Sequence, residues 1–189
     1  MYKSCITEQS ALRQRAIEAG LLQAMKTRAY EDITVSDLCG SLNIPRKSFY
    51  RYFSSKDGAL YALIDHTLMD FSDIFFPVTP SSAQHTLERF FSFWLQHEDL
   101  LTALARNGLG GTLTQRAIET AMKEDYIKQL MMPAYAGYPQ EYVVTFLVSG
   151  LMSLVLQWHH KRFLESPRKM AALAMQLLTH PSFPSPLPD

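Results

Sequence analysis

The sequence of 189 residues predicts an all-α fold, and three observations support this expectation. Apolar residues recur at intervals of three and four along most of the chain, which is the spacing of one helix face. Connectors rich in proline, serine or glycine, such as 78–82 and 107–111, separate the periodic stretches. Residues 142–158 are uncharged, which is typical of a helix buried in a core. Together these features predict a bundle of helices.

Residues 34–56 predict two short helices joined by a tight turn. Thr34 and Asp37 have the spacing of a capping box, so the first helix is expected to begin directly after Thr34. Asn43 tolerates the left-handed backbone that closes a helix, and Pro45 fits the first position of the next helix because no amide hydrogen is needed there. The predicted arrangement is a helix-turn-helix.

The second helix of this pair has two different faces. Phe49, Tyr52 and Phe53 share one side, which predicts that they pack on the core. The opposite side and the N-terminal edge carry Arg46, Lys47, Ser48, Tyr50 and Arg51. A cationic, outward-facing helix after a tight turn is typical of a motif that enters the DNA major groove.

This segment resembles the N-terminal signature of TetR/AcrR-type transcriptional regulators, over roughly residues 13–63. The characteristic positions are occupied by Ile33, Thr34, Leu38, Ile44, Ser48, Phe49, Tyr50, Tyr52, Phe53 and Lys56. The chain departs from the pattern at Asn43, where glycine is usual, and at Gly58, which is expected to interrupt the fourth helix. The resemblance implies an N-terminal three-helix DNA-binding domain followed by a helical bundle for ligand binding and dimerisation.

The resemblance also implies which side chains contact DNA. Arg46, Lys47 and Ser48 are expected at base edges, where they specify sequence. Thr34, Tyr50, Arg51, Tyr52 and Lys56 are expected at phosphates, where they add affinity without sequence preference. Two alternatives stay open: Tyr52 as a core residue with an incidental hydroxyl, and Arg51 as a solvated surface charge.

The resemblance divides the chain into a DNA-binding domain at 1–55 and a regulatory and dimerisation domain at 56–180. The helix from Lys56 is the expected linker, and the proline-rich residues 181–189 are an expected disordered tail. In the second domain, helices are expected at 56–75, 83–97, 99–106, 112–132, 139–163 and 167–179.

The helix expected at 139–163 is hydrophobic on nearly all sides, so it needs a second partner surface. A twofold homodimer is the commonest way to cover such a surface, and the resemblance places the interface on the last two long helices. The expected interface residues are Ser149, Gly150, Met152, Ser153 and Met175. Alternatively, this helix is central within one chain. A dimer predicts an inverted-repeat operator.

The second domain also contains many aromatic and methionine side chains. They are suited to line a cavity, and they are equally suited to fill a core. The expected ligand contacts are Phe90, Trp94, Met122, Tyr126 and Phe146. By resemblance, a small and mostly apolar effector is expected there, with its occupancy shifting the fourth helix.

Composition limits the other possibilities. Residues 1–60 hold nine Lys or Arg against six Asp or Glu, and residues 61–189 hold nine against twelve, which alone is weak evidence for nucleic-acid binding. Cys5 and Cys39 are too few for a disulfide framework. The N-terminal residues do not show the basic and then apolar pattern of a signal peptide, so a cytoplasmic location is expected. The uncharged stretch 142–158 is short for a membrane span and contains polar residues, so no membrane association is expected.

The sequence contains neither a P-loop, a dinucleotide-binding glycine pattern, a nucleophile elbow nor an HExxH motif. Neither enzymatic activity nor a cofactor is therefore expected. His159 and His160 are adjacent and cannot share a helix face, so no metal site is expected. The expected partners are double-stranded DNA, a second copy of the chain and a small-molecule effector. The alternative function is a helical protein-interaction module that has lost DNA binding.

Overall fold

The computed structural model describes residues 2, 3, 5, 7–75, 82–124, 135 and 137–179. In these ranges the chain forms α-helices joined by short turns, with one isolated bridge between Tyr2 and Phe53. The helices are α1 (Glu8–Thr27), α2 (Val35–Ser41), α3 (Arg46–Tyr52), α4 (Lys56–Phe75), α5 (Ala83–Gln96), α6 (Glu98–Arg106), α7 (Gly110–Lys123), α8 (Gln140–His160) and α9 (Pro167–Thr179). The predicted all-α fold is confirmed, including its N-terminal helix-turn-helix.

Local chemistry sets the boundaries of α2 and α3. The Thr34 hydroxyl accepts from the Asp37 amide at 3.1 Å, and the Asp37 carboxylate accepts from the Thr34 amide at 2.9 Å, which completes the capping box. Asn43 adopts φ 51°, the left-handed conformation that ends α2. Pro45 is the extended residue before α3 and not its first residue, so α3 begins at Arg46.

The helix α4 runs without interruption through Gly58, so the expected break at this residue was wrong. Gly58 lies in the first turn of the helix, where its amide has no partner within the helix. That amide donates instead to the Ser55 hydroxyl at 3.1 Å. Because its amide is bonded in this way, Gly58 is accommodated in the first turn without interrupting α4.

The C-terminal end of α8 comes earlier than expected, at His160 instead of residue 163. Arg162 and Phe163 have φ values of 54° and 53°, and the Phe163 amide donates back to the Trp158 carbonyl at 2.9 Å. The Phe163 ring then packs edge-on against Trp158, with ring centroids 4.7 Å apart. Two left-handed residues and this aromatic contact therefore close the helix. The C-terminal part of the helix expected at 112–132 and the tail expected at 181–189 lie outside the described residues.

The helices pack around one continuous cluster of buried residues. In the N-terminal part, α1 packs on α2 and α4, and α2 packs on α3. The body is built from the pairs α5 with α9 and α7 with α8. The helix α6 packs on α1, α7 and α8, and α4 packs on α1 and α7, so these two helices connect α1 to the body. Leu21 of α1, Ile64 of α4 and Leu101 of α6 are fully buried members of the shared core. The orientation of α1 is therefore set from both sides.

Candidate nucleic-acid interface

The helix α3 is fixed by its aromatic underside. Phe49 is 0% exposed and Phe53 is 1% exposed, and their ring centroids lie 5.3 Å apart. Leu38 of α2 and Leu21 of α1 are buried in the same cluster. Burial of this kind stabilises by about 1.5–3 kcal/mol for each large apolar side chain. The predicted inward face of α3 is confirmed, and the helix is held as a rigid unit.

The outward side of α3 presents cations and a tyrosine. Arg46, Lys47 and Tyr50 are exposed, and Ser48 is half-buried. Arg46 Nη2 lies 3.3 Å from the Tyr50 hydroxyl, and its guanidinium lies 5.9 Å from the centroid of that ring. The hydrogen bond with Tyr50 raises the pKa of Arg46 above its usual value, so this group stays cationic. The tyrosine therefore lays the guanidinium along the helix surface.

The structure bears on both alternatives left open by the sequence. Tyr52 is 5% exposed and its ring packs beside Phe53, which favours the core alternative for this ring. The backbone carbonyl of Tyr52 accepts from the Lys3 amide at 3.0 Å. Arg51 is exposed and forms no ion pair with any residue that the structure describes. Its guanidinium is therefore available to an external anion.

Thr34 is exposed, but its polar hydrogens are already used. Its amide and its hydroxyl donate to Asp37 Oδ2 at 2.9 and 2.8 Å. These bonds from Thr34 lower the pKa of Asp37, with Arg28 adding a smaller effect from 3.2 Å. A phosphate contact by Thr34 therefore competes with an ionised carboxylate in the same capping box.

Lys56 is half-buried and holds the turn between α1 and α2. Its Nζ donates to the carbonyls of Tyr30 and Glu31 and lies 4.2 Å from the centroid of the Tyr30 ring. The Tyr30 hydroxyl donates to Asp57 Oδ1 at 2.6 Å, and burial together with this bond raises the pKa of Tyr30. The first turn of α4 is thus fastened to the residues that lead into α2.

Sequence reasoning missed the contacts that join α6 to the end of α1. The Asn107 side chain accepts from the Tyr30 amide at 2.6 Å and donates to the Ala103 carbonyl at 2.7 Å. Arg106 Nη1 donates to the Lys26 carbonyl at 2.8 Å. The asparagine before the glycine-rich connector was the available signal, because it carries both donors and acceptors beside a helix end.

A second missed feature is a group that we name the polar junction: Tyr2, Glu18, Asp65, His66, Arg116 and Glu119. It joins the N-terminal residues, α1, α4 and α7. The Asp65 carboxylate accepts from the Tyr2 hydroxyl at 2.8 Å and from Arg116 Nε at 2.7 Å, and Arg116 also contacts it through Nη2. Arg116 Nη1 donates to Glu119 Oε2 at 2.7 Å.

Burial and these bonds shift the titration of the junction. Burial and the bond to Asp65 raise the pKa of Tyr2, and the bond to Asp65 raises the pKa of Arg116. Glu18 is 1% exposed, and its Oε2 lies 2.9 Å from His66 Nδ1. Because Tyr2 also bridges to Phe53, the junction connects the end of α3 with α7 of the body.

The outer faces of α8 and α9 expose large apolar side chains. Tyr142 and Phe146 of α8 are 71% and 68% exposed, and Leu177 of α9 is 55% exposed. Of the predicted interface residues, Gly150 and Ser153 are exposed on the same α8 stripe, and Ser149 and Met175 are half-buried. Met152 is 2% exposed and packs inside its own protomer, so we remove it from the predicted surface. The sequence of α8 is hydrophobic on nearly all sides, so it did not indicate which side faces the core.

The predicted ligand residues do not share one environment. Trp94 is 1% exposed, and its indole nitrogen has no hydrogen-bond partner in the described part of the chain. Phe90 and Met122 are half-buried, and the Phe90 ring centroid lies 6.5 Å from that of Trp94. Phe146 lies on the outer face of α8, away from the interior, and Tyr126 lies outside the described residues.

Two further features of the described residues concern membranes and metal ions. By length and composition α8 is able to cross a membrane, with a third of its most apolar window buried inside the protomer. The core helix of a soluble protein has the same composition, so this evidence is weak. Within the same described ranges, His, Cys, Asp and Glu side chains form no group of three suited to a metal ion.

Comparison with known proteins agrees with this architecture. Residues 81–180, more than half of the chain, match the family model TetR_C_8, described as a transcriptional regulator C-terminal region. The HTH-type transcriptional regulator EthR of Mycolicibacterium smegmatis is 40% identical over 53 residues, which are 28% of this chain. That match spans 24% of EthR, about a quarter of its length.

Solved structures share the fold at low sequence identity. A TetR transcriptional regulator from Streptococcus agalactiae 2603V superposes with a TM-score of 0.65 at 18% identity, covering 90% of this chain and 95% of that one. The fatty acid degradation regulator FadR from Bacillus halodurans gives a TM-score of 0.64 at 14% identity, covering 90% and 96%. The chain therefore belongs to the TetR/AcrR family of DNA-binding transcriptional regulators, which are not enzymes.

Proposed function

We propose that the protein is a ligand-responsive repressor that binds an inverted-repeat operator as a homodimer and is released by a small molecule. The observation that carries this proposal is the construction of α3. Its buried aromatic side fixes the helix, and its exposed side presents Arg46, Lys47 and Tyr50 outward. A rigid cationic helix beyond a tight turn matches the dimensions of a major groove.

Within this proposal, Arg46, Lys47 and Ser48 contact base edges at the N-terminal end of α3. An arginine that forms two hydrogen bonds to guanine discriminates by about 1–3 kcal/mol. The tyrosine that holds Arg46 reduces the side-chain freedom lost on binding.

Tyr50 and Arg51 are the leading phosphate contacts because both are exposed. Phosphate contacts by Thr34, Tyr52 and Lys56 are expected to contribute less, because these three side chains already form hydrogen bonds or pack within the protomer. Phosphate contacts supply affinity and salt dependence without reading the sequence.

The proposed dimer uses the outer faces of α8 and α9. Tyr142, Phe146, Gly150 and Ser153 follow one another at intervals of three and four, so they form a single stripe on α8. The exposed Leu177 of α9 adds to this apolar surface. Two aromatic side chains beside a small, flat segment suit a self-complementary twofold contact.

The proposed effector is small and mostly apolar, and it binds in the body near the buried Trp94 and the half-buried Phe90 and Met122. Its binding is transmitted through α4 and α6, because both pack on α1. Such coupling requires that the effector prefers one arrangement of the two DNA-binding domains over another. A protein of this function acts where the chromosome is, so we also propose a cytoplasmic location without membrane association.

Selection of bound sequences from random DNA tests this function. We expect enrichment of an inverted repeat whose half-sites are centred about 34–36 Å apart or at a multiple of that spacing. Enrichment of a single site without an inverted repeat would contradict the dimeric arrangement. A complete lack of enrichment, with retained folding, would favour the alternative of a helical protein-interaction module. Transcription from a promoter carrying the selected site then separates repression from activation.

A further inference from the structure

A groove of about 280 Å³ lies between α1 and α3, beside the outward face of α3. Its lining comes from α1, from the turn between α2 and α3, and from α3: Arg13, Ala16, Ile17, Leu42, Ile44, Ser48, Arg51 and Tyr52. The lining therefore combines two arginines and a serine with apolar side chains. No aspartate or glutamate is part of its lining.

The two arginines of the groove have no side-chain partner among the described residues, in contrast to Arg15 and Lys26 of the same domain. Arg13 and Arg51 are exposed, and neither forms an ion pair or a hydrogen bond through its side chain with the described residues. By contrast, Arg15 pairs with Asp70 at 2.9 Å and Lys26 pairs with Asp99 at 2.6 Å. Arg13 and Arg15 are two residues apart on α1, so they point in different directions and only Arg15 is neutralised.

The groove is continuous with the surface that carries the proposed base contacts, because Ser48 belongs to both, and it includes the proposed phosphate contact Arg51. An unneutralised pair of guanidinium groups favours an anion with several acceptor oxygens, which the planar donor fork of arginine matches. The apolar side chains of the lining suit the carbon atoms of a sugar. A nucleic-acid backbone supplies both chemistries in one repeating unit.

We propose that this groove receives a backbone phosphate of duplex DNA between Arg13 and Arg51, at the flank of each half-site. The proposal rests on the proposed function and adds Arg13 of α1 to the binding residues. The contact positions α3 without reading sequence, so it acts equally on specific and nonspecific duplexes.

The test compares Arg13→Gln with Arg15→Gln, which removes the same charge from the same helix at a position already paired with Asp70. Binding is measured by fluorescence anisotropy over a salt series, with the selected operator and with a random duplex of about 30 base pairs, long enough for two half-sites. For Arg13→Gln we expect affinity for both duplexes to fall about tenfold, the loss expected for a charge-assisted hydrogen bond. The salt slope should fall by about 0.9, the contribution of one phosphate.

Arg15→Gln should leave the salt slope unchanged, and both variants should unfold at the parent temperature. Arg13→Lys should keep the slope while binding more weakly, because it retains the charge and loses the donor fork. If Arg13→Gln and Arg15→Gln bind alike while the parent binds its operator, the groove proposal is overturned and the proposed function stands. If the parent binds no duplex, both are overturned.

Discussion

The DNA-facing surface and the polar junction use cations in opposite ways. Lys47, Arg51 and Arg13 are exposed and have no anionic partner in the described chain. Arg116 of the junction is bonded to Asp65 and Glu119, and the Asp65 side chain is 6% exposed. Pairing, more than the count of basic residues, therefore separates a cation available to DNA from one that stabilises the fold. A net charge of zero is compatible with both.

The largest effect is expected from breaking the junction. Asp65→Asn removes the negative charge that faces Arg116 and replaces one of the two acceptor oxygens by an amide donor, and the loss of one charge of a buried pair costs about 3–5 kcal/mol. Urea unfolding measures this loss of free energy. The control is Asp70→Asn, whose surface pair with Arg15 should contribute less than about 1 kcal/mol. Equal losses in the two variants would contradict the distinction drawn between buried and exposed pairs.

The next effect concerns the outer face of α8. Phe146→Glu should leave the protomer folded, because the side chain is 68% exposed, and should weaken the dimer by about 2 kcal/mol, roughly 30-fold. Sedimentation over a concentration series measures the dissociation constant. Leu12→Glu, at a side chain 64% exposed on α1, is the matched control and should not change association. A stable parent monomer would instead support α8 as a helix that serves only its own chain.

A smaller effect is expected from base recognition. Arg46→Ala should cost about 1–3 kcal/mol of operator binding and relax preference at one base pair, because its two donors are lost. Competition between the selected operator and its single-base variants measures both quantities. Lys123→Ala, which removes an exposed cation in the last turn of α7, should leave the preference unchanged. An unchanged preference in Arg46→Ala would remove this residue from the base contacts.

The smallest effects are expected from two cations of the N-terminal part, one bonded within the chain and one exposed. Lys56→Met should lower stability by about 1 kcal/mol, because the ammonium bonds to two backbone carbonyls, and should hardly change the salt slope of DNA binding. Arg51→Met, at an exposed phosphate contact of the proposal, should do the reverse, with a slope lower by about 0.9 and unchanged stability. A slope decrease of the same size in Lys56→Met would instead support the phosphate contact predicted from the sequence.

Features set by neighbouring residues were predictable from the sequence. The capping box of Thr34 and Asp37, the left-handed Asn43 and the buried side of α3 depend on contacts within a few positions. The family resemblance then gave the fold, because these local signals fall at characteristic spacings. Which residue pairs with a charged side chain does not depend on its sequence neighbours in this way.

Contacts made by tertiary packing could not be predicted in this way. Arg116 meets Asp65 across 51 positions, and Tyr2 meets the same carboxylate across 63. Neither spacing leaves a periodic pattern. The position of Phe146 was equally hidden, because α8 is apolar on nearly every side and its packing on α6 and α7 selects the outer face.

A single side chain, that of Asn107, fastens α6 to the end of α1 through both its amide oxygen and its amide nitrogen. Conversion to aspartate would replace the amide donors that face the carbonyls of Met25 and Ala103 with a negative charge. Repulsion would then loosen α6 from the end of α1. An Asn107→Asp variant should therefore respond less to effector than its parent, while its helical content by circular dichroism stays the same.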